Sequence, residues 1–217
     1  MTRRLTIAVP TGRLWEGAAQ LLRRLDVPLD PTEADRRLLV DLSTATRVIV
    51  AKPTDLLTYV EQGAADTGIV GRDMLLEQGR DVFELLDLGF GACRAVVALP
   101  EDRADTLWQP GQVLRIATKY PRMTARYFDE VGRPVEIIVL YGTVELAPLV
   151  GLADGIVDLV VTGQTLRANR LREVAEIARS TARLVANRSS VSRSSRLREF
   201  VAALDAGLRA GRLSVHA

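Results

Sequence analysis

The segment 158–166, with sequence DLVVTGQTL, combines residue types that can hold a phosphorylated substrate. An apolar strand is predicted to end here, and a helix to begin after a Thr-Gly-Gln-Thr turn. Backbone N–H groups at such a turn suit an anion, Thr162 and Thr165 add hydroxyl donors, and Gly163 lets the backbone approach a phosphate closely. Asp158 could hold ribose hydroxyls or support a metal bound by pyrophosphate oxygens. On local sequence alone, an ordinary strand-to-helix turn capped by threonine, with Asp158 facing solvent, is the commoner interpretation, since such turns are frequent.

Three further turns follow predicted strands, and each combines glycine, acidic or cationic residues. Taken singly, each fits ordinary loop chemistry. Ligands of open α/β sheets bind at the carboxyl ends of strands, so the shared location of these turns supports a ligand-binding role for them as a group. They are Pro10-Thr11-Gly12-Arg13, the segment 66–73 with Asp66, Gly68, Gly71 and Asp73, and Thr118-Lys119-Tyr120-Pro121. At a fourth turn, Thr143 is predicted to cap a helix, with Glu145 favouring the helix dipole.

The elements that must position these turns alternate between strand and helix, which predicts an α/β fold with largely parallel sheets. Strands are predicted over 5–9, 47–52, 66–70, 94–99, 114–118, 135–140, 156–161 and 181–186. Helices are predicted over 14–25, 54–62 with Thr54 as cap, 71–78, 121–130, 143–150, from 163 onwards and over 197–213. Glycines in 88–91 and a crossing at 173–179 would divide the chain into two lobes joined by two connections, with a cleft between them.

Composition excludes several classes of protein. The 217 residues are 47% hydrophobic and 26% charged, typical of a globular chain, and no apolar run approaches the ~20 residues of a membrane span. The single cysteine and single histidine exclude an internal disulfide, a Cys-based zinc cluster and multi-histidine metal sites, and disfavour a Ser-His-Asp triad. The net charge is only +2, and the arginines are interspersed with acids, which argues against nucleic-acid binding. We expect a cytoplasmic protein without membrane association.

The sequence resembles the ATP phosphoribosyltransferase family over most of its length. The most specific motif begins at Glu145, continues after five residues with GLADGIVD (151–158), and ends with TGQTL (162–166). Supporting matches lie in 10–14, 53–55, 66–73, 88–94 and 117–121. Thr11 departs from the family pattern, in which many members carry lysine, so no lysine–phosphate contact is expected there.

The resemblance implies two lobes similar to type II periplasmic binding proteins, with the active site in the cleft between them. Lobe I would span 1–90, lobe II with the phosphoribosyl loop 91–175, and 176–217 would return to lobe I and end in a helix. The implied reaction is attack of ATP N1 on C1 of 5-phosphoribosyl 1-pyrophosphate, giving phosphoribosyl-ATP and pyrophosphate, the first step of histidine biosynthesis. Such a displacement needs orientation and charge compensation rather than a protein nucleophile, so no residue is assigned as general acid or base.

The resemblance also assigns candidate binding residues in two sets. The residues expected to hold phosphoribosyl pyrophosphate are Glu145, Asp158, Thr162, Gly163, Gln164 and Thr165. The residues expected near the nucleotide or pyrophosphate are Gly12, Arg13, Gly71, Asp73, Arg94 and Lys119. Mg²⁺ is expected to bind with the pyrophosphate, not through protein ligands alone.

Partners follow from the same resemblance. The length matches the short form of the family, which dimerises and works with a regulatory subunit similar to histidyl-tRNA synthetase, in a hetero-octamer. The main alternative is a non-catalytic solute-binding or effector-sensing module of the same two-lobed fold. That alternative gives no reason for the Asp158 and Thr162–Thr165 pattern to fit a transferase motif.

Overall fold

The computed structural model describes residues 4–29 and 38–213. Over these residues the chain forms two compact units. Unit 1 comprises the described residues up to Leu75, those from Gly79 to Ala92 and those from Thr181 onwards. Unit 2 comprises Leu76–Gln78 and Cys93–Ser180. Each unit contains one β-sheet.

Unit 1 is built on a six-stranded sheet. Its strands are β1 (Leu5–Pro10), β2 (Leu39–Asp41), β3 (Thr46–Ala51), β4 (Thr67–Gly71), β5 (Phe83–Asp87) and β11 (Ala182–Ala186), in the order β2-β3-β1-β4-β11-β5. Its helices are α1 (Trp15–Arg23, after a 3-10 turn at Gly12–Leu14), α2 (Pro53–Glu61), α3 (Arg72–Gln78, whose last three residues belong to unit 2), α8 (Arg188–Arg193) and α9 (Ser195–Arg209). Strand β1 is parallel to β3 and β4, so the turns after β1 and β4 lie at one edge of the sheet.

The core of unit 1 joins the sheet to α1 and α9. Apolar residues at helical spacing on α1 and α9 are buried in one cluster with alternating residues of β1, as expected for amphipathic elements that cover a sheet. The cluster includes Ile7, Val9, Ala18, Leu21, Leu22, Leu197 and Leu204.

Unit 2 is built on a five-stranded sheet. Its strands are β6 (Cys93–Pro100), β7 (Leu114–Thr118), β8 (Val135–Val139), β9 (Gly155–Val160) and β10 (Leu171–Ser180), in the order β10-β6-β9-β7-β8. Its helices are α4 (Ala104–Leu107), α5 (Pro121–Glu130), α6 (Leu146–Leu149) and α7 (Gln164–Ala168). Ile156 and Val157 of β9 point to opposite faces and join different hydrophobic clusters. Leu166 joins the cluster of Ile156, which fixes α7 and the preceding turn to the sheet.

The prediction of largely parallel sheets is wrong. Of the nine strand pairings among the described residues, five are antiparallel. The reason lies in strands that the apolar pattern did not reveal, namely β2, β5 and β10. The segment 173–179, expected as a crossing between lobes, lies inside the ten-residue β10, an edge strand with many exposed charged residues.

Two predicted helix caps are also wrong. Helix α2 begins with Pro53 after Lys52, so Thr54 lies inside its first turn. The helix predicted from Thr143 is only Leu146–Leu149, and no side chain caps it. Because proline is tolerated only in the first turn of a helix, Pro148 prevents a longer helix that would begin at Thr143. No helix among the described residues is long and apolar enough to cross a membrane.

Candidate active site

The turn between β9 and α7 borders a cavity of about 250 Å³. Gly163 adopts φ +74°, a left-handed conformation that glycine adopts readily, and precedes the first residue of α7. The cavity is lined by Glu145, Asp158, Leu159, Val160, Val161, Thr162, Gly163, Gln164, Thr165 and Leu166. The structure therefore brings all six residues of the predicted phosphoribosyl pyrophosphate set together at one cavity.

The hydroxyl groups of this turn differ in how they are held. Thr162 Oγ1 accepts a hydrogen bond of 3.4 Å from the Gln164 N–H group. The side chain of Thr165 is exposed, and its hydroxyl has no partner among the described residues. Both hydroxyl groups are therefore available to a ligand in the cavity, one only weakly engaged and the other without a partner.

Arg167 is a residue of this turn that the sequence reasoning missed. Its Nη2 donates to the Thr162 carbonyl oxygen at 3.1 Å, and a Cβ on Gly163 would lie 3.2 Å from its Nη1. The side chain thus reaches back over the turn and holds its backbone. The sequence signal that could have revealed Arg167 is its position, two residues after Thr165 on the helix that follows the turn.

Asp158 forms an ion pair with Lys119. The Lys119 Nζ atom lies 3.2 Å from Asp158 Oδ1, and only 14% of the Asp158 side chain is exposed. Strands β7 and β9 are parallel neighbours in which Thr118 pairs with Val157, so the residues that follow each pair are adjacent. The Thr118 hydroxyl donates to Val157 O and accepts from the Tyr120 N–H group, which fixes the turn carrying Lys119.

Burial dominates the electrostatics of Asp158. Loss of solvent raises the pKa of its carboxyl above the ordinary value, while the charge of Lys119 and the Leu159 N–H group act to lower it, and nearby Glu145 acts to raise it. Two carboxylates thus line this cavity, and the ammonium group of Lys119 pairs with one of them, Asp158. A carboxylate whose charged form is under-solvated gains from a cation or from hydroxyl donors of a ligand.

The second acid of the specific motif has a structural role. Asp154 accepts hydrogen bonds from the Arg115 backbone N–H group at 2.9 Å and from Arg115 Nη2 at 2.9 Å, and its own N–H group donates to Arg115 O. These bonds join the segment before β9 to β7. They lower the pKa of the Asp154 carboxyl, chiefly through the Arg115 side chain.

Four residues of the predicted nucleotide set lie together in unit 1, at the carboxyl ends of β1 and β4. Arg13 Nη2 lies 3.4 Å from Asp73 Oδ1, and Arg13 also donates to the Gly91 carbonyl oxygen. A Cβ on Gly71 would lie 2.1 Å from Asp73 Oδ1, so a larger residue there would displace the Asp73 carboxylate from its present position. Gly12 adopts φ +77°.

Arg94 and Asp66 lie elsewhere. Arg94 donates to Glu173 and Glu176 of β10, and it does not line the cavity at Asp158. Asp66 precedes β4, at the end opposite to Gly71, where it accepts from the Thr6 N–H group and the Ser190 hydroxyl. Asp66 is therefore separated from Gly71 and Asp73 by the length of β4, and its carboxylate holds β1 and α8.

Comparison with known proteins identifies the family. Residues 52–206 match the family model described as ATP phosphoribosyltransferase. The chain belongs to the ATP phosphoribosyltransferase family. The ATP phosphoribosyltransferase of Moorella thermoacetica is 51% identical over 197 residues, covering 88% of this chain and 86% of that protein. The ATP phosphoribosyltransferase 2 of Geobacter sulfurreducens is 45% identical, covering 94% and 99%.

Solved structures agree with the family and with the fold. The ATP phosphoribosyl transferase (HisG:HisZ) complex from Thermotoga maritima contains a chain with a TM-score of 0.78 and 33% identity, covering 93% of this chain and 95% of that chain. A substrate-binding protein of an amino acid ABC transporter has a TM-score of 0.62 at 14% identity, covering 97% and 96%, which shows likeness of fold alone. The predicted α/β fold resembling type II periplasmic binding proteins is confirmed.

Membership in the ATP phosphoribosyltransferase family establishes the reaction. The chain transfers the phosphoribosyl group from 5-phosphoribosyl 1-pyrophosphate to N1 of ATP, releasing pyrophosphate, in the first step of histidine biosynthesis. The bond from N1 to C1 of the ribose forms as the bond from C1 to the pyrophosphate oxygen breaks. The predicted family and activity are confirmed.

Proposed function

We propose that the cavity beside Asp158 is where this transferase binds the phosphoribosyl group. The single observation that carries the proposal is that Glu145, Asp158 and the Thr162–Thr165 turn line about 250 Å³ of space, with Lys119 paired to Asp158. The turn supplies hydroxyl and backbone N–H donors for the 5-phosphate, while Asp158 accepts hydrogen bonds from ribose hydroxyls. Lys119 compensates charge at the end of β7.

The chemistry then requires positioning rather than proton transfer by the protein. Holding the ribose by its 5-phosphate and hydroxyls leaves C1 as the free end of the substrate, oriented for attack by ATP N1. Positive charge grows on the ribose ring as pyrophosphate departs, and the Asp158 carboxylate stabilises that charge because little solvent screens it.

The donor set suits Mg²⁺ that arrives with pyrophosphate. Carboxylate oxygens are among its preferred ligands, and the ion binds through one or two carboxylates together with phosphates and waters. Glu145 and Asp158 are such carboxylates at the cavity, and Asp158 already pairs with Lys119. Among the described residues, no group of three or more histidine, cysteine or acidic side chains could hold a metal. When bound, Mg²⁺ would neutralise charge on the departing pyrophosphate.

For the nucleotide and pyrophosphate, we propose Gly12, Arg13, Gly71 and Asp73 of unit 1. Arginine suits phosphate oxygens, and the 3.4 Å contact between Arg13 and Asp73 holds the guanidinium at the end of β4. Arg94 is proposed in a weaker role, because its guanidinium already binds two glutamates.

The partners proposed for this chain are a second copy and a regulatory subunit. Support comes from the Thermotoga maritima relative, whose structure is a HisG:HisZ complex. We propose the same kind of assembly here, a hetero-octamer with a subunit similar to histidyl-tRNA synthetase, in the cytoplasm.

Calorimetric titration with Mg²⁺ and 5-phosphoribosyl 1-pyrophosphate tests the binding proposal on the chain alone. Gly163→Glu should abolish binding, because it fills the turn. Gly132→Glu is the matched control, since Gly132 is also left-handed at φ +64° and a Cβ there meets nothing within 4 Å. Equal binding by both variants, or no binding by the folded wild-type chain, would contradict the proposed site.

A further inference from the structure

A second, larger cavity lies in unit 1, and none of the residues proposed above to bind a substrate lines it. Its volume is about 450 Å³, within the range of small-molecule sites. It is lined by residues that precede β1 and β4, end α2, and begin α8 and α9. These are Arg4, Glu61, Gln62, Gly63, Asp66, Asn187, Ser189, Ser190, Arg193, Ser194, Ser195 and Arg196.

The lining combines three arginines with two carboxylates, and both carboxylates are occupied within the protein. Glu61 accepts from Arg80 Nη1 at 3.0 Å and from the Asp81 N–H group at 2.8 Å. Asp66 accepts from the Thr6 N–H group at 2.9 Å and from the Ser190 hydroxyl at 2.7 Å. The charge of Glu61 is paired with Arg80, whereas these two donors to Asp66 are neutral, so the cavity holds three arginines against the carboxylate of Asp66.

The arginines are engaged to different degrees. Arg4 pairs with Asp41 at 2.9 Å, and Arg196 Nη1 donates to the Ala45 carbonyl oxygen at 3.4 Å. Arg193 is exposed, and it forms no ion pair or hydrogen bond within the part of the chain that the structure describes. Arg193 therefore presents a full fork of donors to a ligand in the cavity.

The polar floor of the cavity is held rigidly by Asn187. Its Oδ1 accepts from the Ser189 and Ser190 N–H groups, and its Nδ2 donates to the carbonyl oxygens of Val60 and Glu61. One side chain thus joins the end of α2 to the start of α8. Ser189 and Ser195 border the same space with exposed side chains, so their hydroxyl groups can donate to a ligand.

We infer that this cavity binds the phosphate of a phosphorylated small molecule, separately from the catalytic substrates. Guanidinium forks, serine hydroxyls and a pre-ordered backbone are the donors that phosphate oxygens require. Arg193 is the principal ligand, with Arg196 and Arg4 contributing charge. The inference does not rest on the proposed roles of Asp158 and the Thr162–Thr165 turn.

Titration of the isotope-labelled full chain with inorganic pyrophosphate, followed by amide NMR shifts, tests the inference. We expect saturable shifts at Ser189, Ser194 and Ser195, with an affinity that falls about tenfold in Arg193→Gln. Arg209→Gln is the control, because it removes the same charge from an exposed side chain of α9 whose one ion pair among the described residues is with Asp205. The affinity of the Arg209→Gln variant for pyrophosphate should equal that of the wild type.

The outcomes separate this inference from the proposed catalytic site. Shifts at the three serines with the expected loss in Arg193→Gln support the cavity site, whatever the Thr162–Thr165 amides do. If the amide shifts of the three serines do not change up to about 10 mM pyrophosphate, the inference is overturned, even if the Thr162–Thr165 amides respond. Equal losses in the two arginine variants also overturn it, since the effect would then be one of net charge. Urea unfolding of both variants checks that each is folded.

Discussion

Lys119 Nζ lies 3.2 Å from Asp158 Oδ1, where two parallel strands of unit 2 end side by side. Lys119 is one of only two lysines in a chain with 29 lysine and arginine residues. The pair places one positive and one negative group at the edge of the cavity assigned to phosphoribosyl binding. Each group can be removed separately, which makes their roles distinguishable.

Asp158→Asn should weaken the binding of 5-phosphoribosyl 1-pyrophosphate by about tenfold or more, because a charge-assisted acceptor for ribose hydroxyls is lost. It should leave the fold as stable as the wild type or more stable. Burial raises the pKa of Asp158 in the folded state, so ionisation of this carboxyl opposes folding. Calorimetry gives the affinity, and urea unfolding gives the free energy of unfolding.

The sign of the pH dependence provides a further check on Asp158. Because the pKa of Asp158 is raised in the folded state, its carboxyl stabilises the fold fully at pH values below its pKa in the unfolded chain, near 3.8. That stabilisation is lost as the pH rises through the folded-state pKa. The free energy of unfolding of Asp158→Asn, relative to wild type, should therefore increase over that rise and then stay constant. A relative decrease would show that Lys119 overcompensates the burial.

Lys119→Gln should shift the pH dependence of substrate affinity towards higher pH, by up to about one unit. The Lys119 charge lowers the pKa of Asp158, so its removal keeps Asp158 protonated to higher pH. Affinity for Mg²⁺ and 5-phosphoribosyl 1-pyrophosphate, measured by calorimetry across a pH series, reports the shift. Lys52→Gln serves as the control, since Lys52 is exposed in unit 1, and a similar shift there would contradict the role of the pair.

Thr165→Val should reduce substrate affinity roughly tenfold, because it removes a hydroxyl donor while keeping the side-chain shape. Thr143→Val is the matched control. Thr143 is exposed, does not line the cavity and caps no helix, so its replacement should change neither affinity nor stability. If both variants bind as the wild type does, the Thr165 hydroxyl does not hold the 5-phosphate.

Asp154→Asn should destabilise the fold by about 2 kcal/mol, because its hydrogen bonds with Arg115 are charge-assisted. The folded-state pKa of Asp154 is lowered, so its contribution is present above the unfolded value and disappears as the pH falls through the folded pKa. Thermal unfolding of both proteins across an acid pH series measures this. Substrate affinity at a temperature where the variant is folded should remain unchanged, in contrast to Asp158→Asn.

The contrast between Asp154 and Asp158 shows the limit of motif reading. Both acids belong to one motif, and their sequence positions do not distinguish them. In the structure, Asp154 turns towards Arg115, whereas Asp158, four residues along the same segment, borders the cavity with Lys119. Which partner each acid meets depends on the pairing of β7 with β9, a contact between residues about 40 positions apart in the chain.

The sequence by itself determined the elements whose signals are local. Continuous apolar runs predicted β1, β6, β7 and β9, Pro121 predicted the start of α5, and the TGQTL motif predicted the turn before α7 and the family. These succeed because apolar periodicity, proline and glycine act within a few residues.

Only the tertiary structure decided which strands pair and which charges meet. Strand β10 escaped prediction because an edge strand tolerates charged residues, and its long antiparallel pairing with β6 compensates for weak local propensity. The 450 Å³ cavity likewise joins Arg4 to Arg193, which lie far apart in the chain. Side-chain proximity of this kind depends on strand order and register, which no local pattern specifies.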